Sequence, residues 1–63
     1  MTSYTDYRVV HVADLRYLPD ANCRPVSQLR EGVTVRINQY DATFAWGRTL
    51  FGLWVNMNDL RLG

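Results

Sequence analysis

The sequence of 63 residues contains no lysine, one cysteine and two prolines. Because Cys23 is the only cysteine, neither an internal disulfide nor a zinc site of four thiolates can form. No apolar stretch approaches the about 20 residues that a membrane-spanning helix needs. The N-terminus, MTSYTDYRVV, lacks the basic and apolar regions of a signal peptide. We therefore expect a cytoplasmic protein that does not enter membranes.

Patterns for catalysis or metal binding are also missing. His11 is the only histidine, and no serine or cysteine motif accompanies it. The six carboxylates fall mostly at expected turns and strand ends, where aspartate commonly stabilises the turn. No phosphate loop or zinc spacing is present. We expect a non-catalytic protein that uses no cofactor and no metal.

All seven basic residues are arginine, and the formal net charge is +1. A guanidinium group can bind carboxylate or phosphate through two hydrogen bonds and can stack on aromatic rings. The arginines are scattered, however, and a genome that avoids lysine codons would give the same composition. A nearly neutral chain has little long-range attraction for nucleic acid.

Hydrophobic residues make up 48% of the chain, enough for one compact core. A chain of this length forms a single domain, which we place over residues 1–63 with its core at about 7–62. After Gly32, the apolar residues of VTVRI (33–37) alternate with polar ones, which predicts a half-buried strand. An earlier strand is predicted over 8–13. Between them, residues 14–30 are predicted to form a long irregular loop.

The stretch FAWGRTLFGLWV, residues 44–55, predicts a β-hairpin. Gly47-Arg48 suits a two-residue turn of type II′, which favours glycine at its first central position. Side chains alternate between faces in the resulting register. One face then forms the predicted core, with Phe44, Trp46, Phe51, Leu53 and Val55. Trp54 is left on the opposite face beside Gly52, as a ring available to a partner.

A polar turn at 56–59 and a closing strand at 60–62 bring the predicted number of strands to five. Another turn is predicted at 38–41, after the central strand. Five short strands with one long loop after the first predict an all-β fold, either a small five-stranded barrel or two orthogonal sheets.

The order of these features resembles the Src-homology-3-like barrels, most closely the bacterial Src-homology-3 domains. Three segments carry the resemblance: LRYLP (15–19), LREGVTV (29–35) and WVNMNDL (54–60). The middle segment is similar to the family's leucine, two polar residues, glycine and alternating strand. The last has the family's aromatic-valine pair, four turn residues and a leucine. One departure is Leu53, because the bacterial family usually places glycine directly before the aromatic.

The resemblance implies a domain that binds extended or proline-rich peptides between aromatic side chains beside the long first loop. The matching positions are Tyr17 in that loop, Tyr40 in the next, and whichever of Trp46 and Trp54 faces outward. Trp54 flanked by Leu50 and by arginines would also form a binding hot spot, since tryptophan, tyrosine and arginine dominate such sites.

We therefore expect a protein partner, with Tyr17, Tyr40, Arg36, Arg48, Leu50 and Trp54 as the candidate contacts. The chain would act as a monomer or small homo-oligomer. One specific form of this hypothesis is a viral or mobile-element inhibitor or adaptor that binds a host or defence protein.

Two alternatives belong to other classes. A strand face that combines Arg36, Arg48 and Trp54 could bind nucleic acid, with stacking worth about 1–3 kcal/mol per base. An active site could also form at the pore of a symmetric oligomer, as in the plasmid-encoded dihydrofolate reductases, which look similar in size and fold. Their active-site motif is not visible in this sequence.

Overall fold

In the computed structural model, which describes residues 3–63, the chain is all-β, as predicted. The elements are β1 (Thr5–Val9), β2 (Ala13–Leu15), β3 (Ser27–Leu29), β4 (Thr34–Tyr40), β5 (Trp46–Thr49), β6 (Trp54–Asn56), a 3-10 helix (Met57–Asp59) and β7 (Leu60–Leu62). Across the described part of the chain, no helix has the length and apolar character needed to cross a membrane.

The strands form two sheets. Five of them make an antiparallel sheet in the order β6-β5-β4-β1-β7, and β2 pairs with β3 in a separate two-stranded sheet. A single backbone bridge, between Arg16 and Trp54, connects β6 to the segment after β2. The sheets are not closed into a barrel. The predicted five-stranded barrel is wrong in this respect, because β2 and β3, which lie mostly in the loop predicted at 14–30, form a separate sheet.

Some predicted boundaries also change. The strand predicted at 8–13 is interrupted after Val9, where the backbone N–H groups of Val10 and His11 donate to the Asp59 carbonyl at 2.8 and 3.5 Å. These bonds turn the chain from β1 towards β2. The central strand is confirmed as β4, but it continues to Tyr40, so the turn predicted at 38–41 begins later. The closing strand at 60–62 is confirmed as β7.

The core is small, and the buried hydrophobic residues among those described are all aliphatic. The buried hydrophobic residues are Val9, Ala13, Leu15, Val35, Ile37, Val55 and Leu60. The predicted aromatic core is therefore largely wrong: Phe44 is 72% exposed and Phe51 is 77% exposed, while Trp46 is half-buried. Val55 is buried as predicted, and Leu53 packs against the core from its edge.

The error in the predicted core comes from the position of the hairpin turn. Gly47 and Arg48 lie within β5, where Gly47 is opposite Val55 and Arg48 is opposite Trp54. The chain turns instead at residues 50–52, where the Gly52 N–H donates to the Thr49 carbonyl at 3.0 Å and Gly52 has a φ of +85°. A three-residue hairpin loop needs a left-handed residue at its end, which glycine supplies. The prediction placed the turn at Gly47, whereas the left-handed residue of the turn is Gly52.

Gly47 has a packing role within β5. A Cβ atom added to it would lie 2.6 Å from Met57 Sδ and 2.8 Å from Ile37 Cγ2, both closer than van der Waals contact permits. The absence of a side chain lets Ile37 of β4 and Met57 of the 3-10 helix pack directly on the backbone of β5. This contact joins the centre of the sheet to the segment that precedes β7.

Replacing Gly47 with alanine should destabilise the fold by overpacking, at a cost of about 1–3 kcal/mol in the free energy of unfolding. Urea unfolding would measure the loss. The double variant Gly47→Ala with Met57→Ala serves as the control, because it removes one of the two clashing groups and should recover part of the loss as a coupling energy. An unchanged unfolding midpoint for Gly47→Ala would contradict the close packing described here.

Candidate functional site

The two tryptophans lie on the same side of the β5-β6 hairpin. In β5, Trp46 is opposite Asn56 and Arg48 is opposite Trp54. Directly opposed residues share a face of the sheet, so these side chains lie on the face that points away from buried Gly47 and Val55. Both indoles are half-buried. Neither tryptophan belongs to the buried core.

Arg16, in the segment directly after β2, completes this surface. Its backbone pairs with Trp54: the Arg16 N–H donates to the Trp54 carbonyl at 2.9 Å, and the Trp54 N–H donates to the Arg16 carbonyl at 2.6 Å. Its guanidinium carbon lies 5.6 Å from the centroid of the Trp46 ring, within cation–π range. We call the surface formed by Arg16, Trp46, Arg48 and Trp54 the tryptophan face.

The Arg16 side chain is held in place by further bonds. Nε donates to the Cys23 carbonyl at 2.9 Å, and Nη2 lies 3.5 Å from Asp14 Oδ2. The side chain is only 15% exposed. Arg16 therefore connects the loop after β2 to the Trp46 ring and limits the movement of both.

The loop before β5 holds the backbone of Trp46 through Asp41. The Trp46 N–H donates to Asp41 Oδ1 at 3.1 Å, and the Asp41 N–H donates to the Trp46 carbonyl at 3.1 Å. Thr43 Oγ1 donates to Asp41 Oδ2 at 2.8 Å. Partial burial would raise the pKa of Asp41, but the hydrogen bonds from Thr43, Trp46 and Ala45 outweigh it and lower that pKa below its usual value. The charged carboxylate thus holds the start of β5.

Phe44 is an unusual residue in this loop. It has a φ of +58°, a left-handed conformation that costs a residue other than glycine about 1–2 kcal/mol. Its ring is 72% exposed and lies 5.8 Å from the ring of Tyr40. Neither burial in the core nor backbone preference explains a phenylalanine at this position. An exposed aromatic kept in a strained turn is a candidate binding residue.

The structure divides the predicted contact residues among three places. Arg48 and Trp54 lie together on the tryptophan face, and Tyr17 follows Arg16 directly, with 66% of its surface exposed. Tyr40 packs against the core, and its hydroxyl is hydrogen-bonded to that of Tyr7 at 2.7 Å.

The two remaining predicted residues line a separate apolar pocket. Its walls are Leu29, Val33, Thr34, Val35, Arg36, Leu50 and Phe51. Arg36 is occupied within the chain, since its Nε lies 3.3 Å from Asp6 Oδ1 and its guanidinium carbon is 4.5 Å from the centre of the Tyr4 ring. Arg36 and Leu50 therefore do not join Trp54 in one surface.

The sequence-based predictions left Arg16 out of the contact residues and assigned Phe44 and Trp46 to the core. One available signal was the second glycine: placing the left-handed residue at Gly52 shifts the register and moves Trp46 to the outer face, where Trp54 is already predicted. No local signal indicates that Arg16 reaches Trp46, because that contact depends on the pairing of two sheets. Comparison of the chain with protein families, curated proteins and solved structures finds no match.

The bond from Arg16 to Cys23 can be tested through the only thiol of the chain. Arg16→Ala should loosen the loop and speed the reaction of Cys23 with an aromatic disulfide reagent by about three- to tenfold, the equivalent of one lost hydrogen bond. Arg24→Ala is the matched control, because Arg24 is an exposed neighbour whose side chain makes no hydrogen bond to described residues. Equal labelling rates in both variants would show that Arg16 does not hold the loop.

The Tyr7–Tyr40 pair predicts a dependence of stability on alkaline pH. The hydrogen bond between the Tyr7 and Tyr40 hydroxyls, together with burial, raises the pKa of Tyr7 to about 12. An unfolded chain releases this proton near pH about 10. The folded state holds the proton more tightly, so the stabilisation is complete below about pH 10 and is lost as the pH rises through about 12.

Urea unfolding at a series of alkaline pH values would measure this loss. In Tyr7→Phe, which cannot ionise at this position, the fall in unfolding free energy over the same pH range should be smaller. Identical pH profiles for the two proteins would rule out a shifted Tyr7.

Proposed function

We propose that the chain is a Src-homology-3-like domain that works in the cytoplasm as a non-catalytic protein-interaction module, with the tryptophan face as its binding surface. The observation that carries the proposal is the pair of half-exposed indoles on one face of β5 and β6, flanked by Arg16 and Arg48. Tryptophan and arginine are the residues most enriched in binding hot spots.

The rigidity of the surface supports this role. Asp41 holds the backbone of Trp46, the Arg16 guanidinium lies over its ring, and the bridge to Arg16 holds the backbone of Trp54. A binding surface that is ordered before the partner arrives loses less conformational entropy on association. These contacts order two tryptophans that lie outside the buried aliphatic core.

Phe44 gives independent support. Its strained backbone and 72% exposure are unfavourable for the isolated domain, and a partner that covers the ring would compensate for both. The ring lies in the loop that leads directly to Trp46. We include Phe44 in the proposed contact surface, together with Tyr17 on the loop beyond Arg16.

The resemblance to the Src-homology-3 family suggests the form of the ligand. An extended segment would lie between aromatic side chains beside the long first loop, and here Tyr17 lies in that loop, beside Arg16. Adaptor and inhibitor roles, including inhibition of a host or defence protein by a viral or mobile-element product, would both use this mode of binding.

Nucleic acid is the second candidate, because indole rings and guanidinium groups alternate on a strand face. Such a face could stack on bases at about 1–3 kcal/mol each. Arg36 does not contribute to it, since Arg36 is paired with Asp6 beside the separate pocket. With a net charge of +1, the chain offers few cations to neutralise phosphates, so we favour a protein partner.

An affinity pull-down from the cells that make the protein tests the proposal. The wild-type domain should capture a protein, and Trp54→Ala and Phe44→Ser should each release it while circular dichroism shows that the fold is retained. Loss of one hot-spot residue corresponds to about 2 kcal/mol or more, which is about thirtyfold in affinity.

Phe51→Ser is the matched control, because Phe51 is as exposed as Phe44 but lies at the apolar pocket. Release by Phe51→Ser alone would move the binding surface to that pocket. Tight binding of mixed-sequence DNA or RNA at low salt, falling steeply as salt is added, would favour nucleic acid instead.

A further inference from the structure

Arg48 occupies a defined position on the tryptophan face. It lies directly opposite Trp54 on β6 and Gln39 on β4, and its side chain is half-buried. A Cβ atom added to Gly52 would lie 3.3 Å from Arg48 Nη2 and 3.9 Å from its guanidinium carbon. The guanidinium therefore lies against the glycine of the hairpin turn, in the space that this residue leaves open.

Within residues 3–63, the charge of Arg48 is not paired with a carboxylate. Arg16 lies beside Asp14 at 3.5 Å and Arg36 beside Asp6 at 3.3 Å, whereas among residues 3–63 no carboxylate forms a salt bridge with Arg48. Its guanidinium also makes no hydrogen bond to another described side chain or carbonyl. A guanidinium has five N–H donors, and hydrogen bonds from a charged donor to a carboxylate are about twice as strong as neutral ones.

From these observations we infer that Arg48 is the carboxylate-binding position of the tryptophan face and selects a partner segment with an acidic side chain. The inference rests on the proposed function, which it makes more specific. An Asp or Glu of the partner would accept hydrogen bonds from the Arg48 guanidinium, while a neighbouring apolar side chain packs against the indoles.

The geometry of β5 predicts the spacing of the partner's residues. Trp46 and Arg48 are two positions apart on one face of the strand, which places them about 7 Å apart. In an extended partner segment, side chains on one face are also two positions apart. The segment should therefore carry an acidic residue separated by a single residue from an aromatic or large aliphatic one.

A polyanion fits this surface less well than a single carboxylate. The other guanidinium of the tryptophan face, that of Arg16, already contacts Asp14 and the Cys23 carbonyl. One guanidinium without an ion-pair partner among residues 3–63, on a face with two indoles, matches one negative charge flanked by apolar groups. Nucleic acid would need several cations in a row to displace its counterions.

Selection from a phage-displayed library of random linear peptides tests the inference. The wild-type domain should enrich peptides with Asp or Glu two positions from an apolar residue, and Arg48→Glu should enrich Lys or Arg at the same place. A synthetic peptide of the enriched sequence should lose about tenfold in affinity for the wild type when its acidic residue becomes Asn or Gln.

Arg61→Glu is the control for net charge. It makes the same change in charge at an exposed position on β7, the sheet edge opposite β6, and should keep the acidic preference. If Arg48→Glu does not fold, as judged by circular dichroism, Arg48→Gln replaces it and should lose the preference.

The outcomes separate the two levels of the proposal. Peptides enriched without an acidic preference, or with a preference that Arg48→Glu leaves unchanged, overturn the role of Arg48 but leave the interaction module standing. Failure to enrich any peptide, together with failure to capture a protein from cells, overturns both. Tight, salt-sensitive binding of a single-stranded DNA oligonucleotide that Arg48→Glu abolishes would assign Arg48 to phosphate and overturn the inference.

Discussion

The close packing of Ile37 and Met57 on the backbone of Gly47 is the constraint on which the arrangement of the sheet depends. A residue without a side chain at this position lets β4 and the 3-10 helix approach β5 from the core side. The neighbours of Gly47 in the strand, Trp46 and Arg48, must then point the other way. The glycine on which Ile37 and Met57 pack therefore has neighbours, an indole and a guanidinium, that lie on the outer surface.

On the outer surface of β5, a residue held by contacts within the domain lies beside a charged residue that has no carboxylate partner among residues 3–63. The Asp41 carboxylate holds the backbone of Trp46, and the Arg16 guanidinium lies over its ring, so contacts within the domain position this residue. Arg48 has no carboxylate partner among residues 3–63, and Phe44 remains in a strained, exposed conformation. Unsatisfied groups beside rigid ones are typical of sites where local stability is given up for binding. The separate pocket lacks this contrast, because its one charged residue, Arg36, is already paired with Asp6.

The all-β class, the central strand and the closing strand could be predicted from the sequence, because alternation and turn residues are local signals. The alternation of Val35 and Ile37 with polar neighbours shows directly in the buried face of β4. The hairpin register could not be settled in this way, since Gly47 and Gly52 both suit a turn and only Gly52 adopts a positive φ. Two of the predicted contacts, Arg48 and Trp54, lie together on the site, but the role of Arg16 depends on a bridge between sheets that no local pattern encodes.

The position of β1 at the interior of the sheet has a consequence for how the chain folds. β1 pairs with β4 on one side and with β7 on the other, where Val9 lies opposite Leu60. The sheet is therefore completed only when the first and last strands of the described chain meet, and this closure costs loop entropy before it returns any stabilisation. Small β proteins with such distant pairings fold in about milliseconds to seconds, far more slowly than helical bundles of equal size. Strand order thus contributes to the kinetic barrier, and weakening β7 would remove one of the two strands that pair with β1 at the opposite end of the chain.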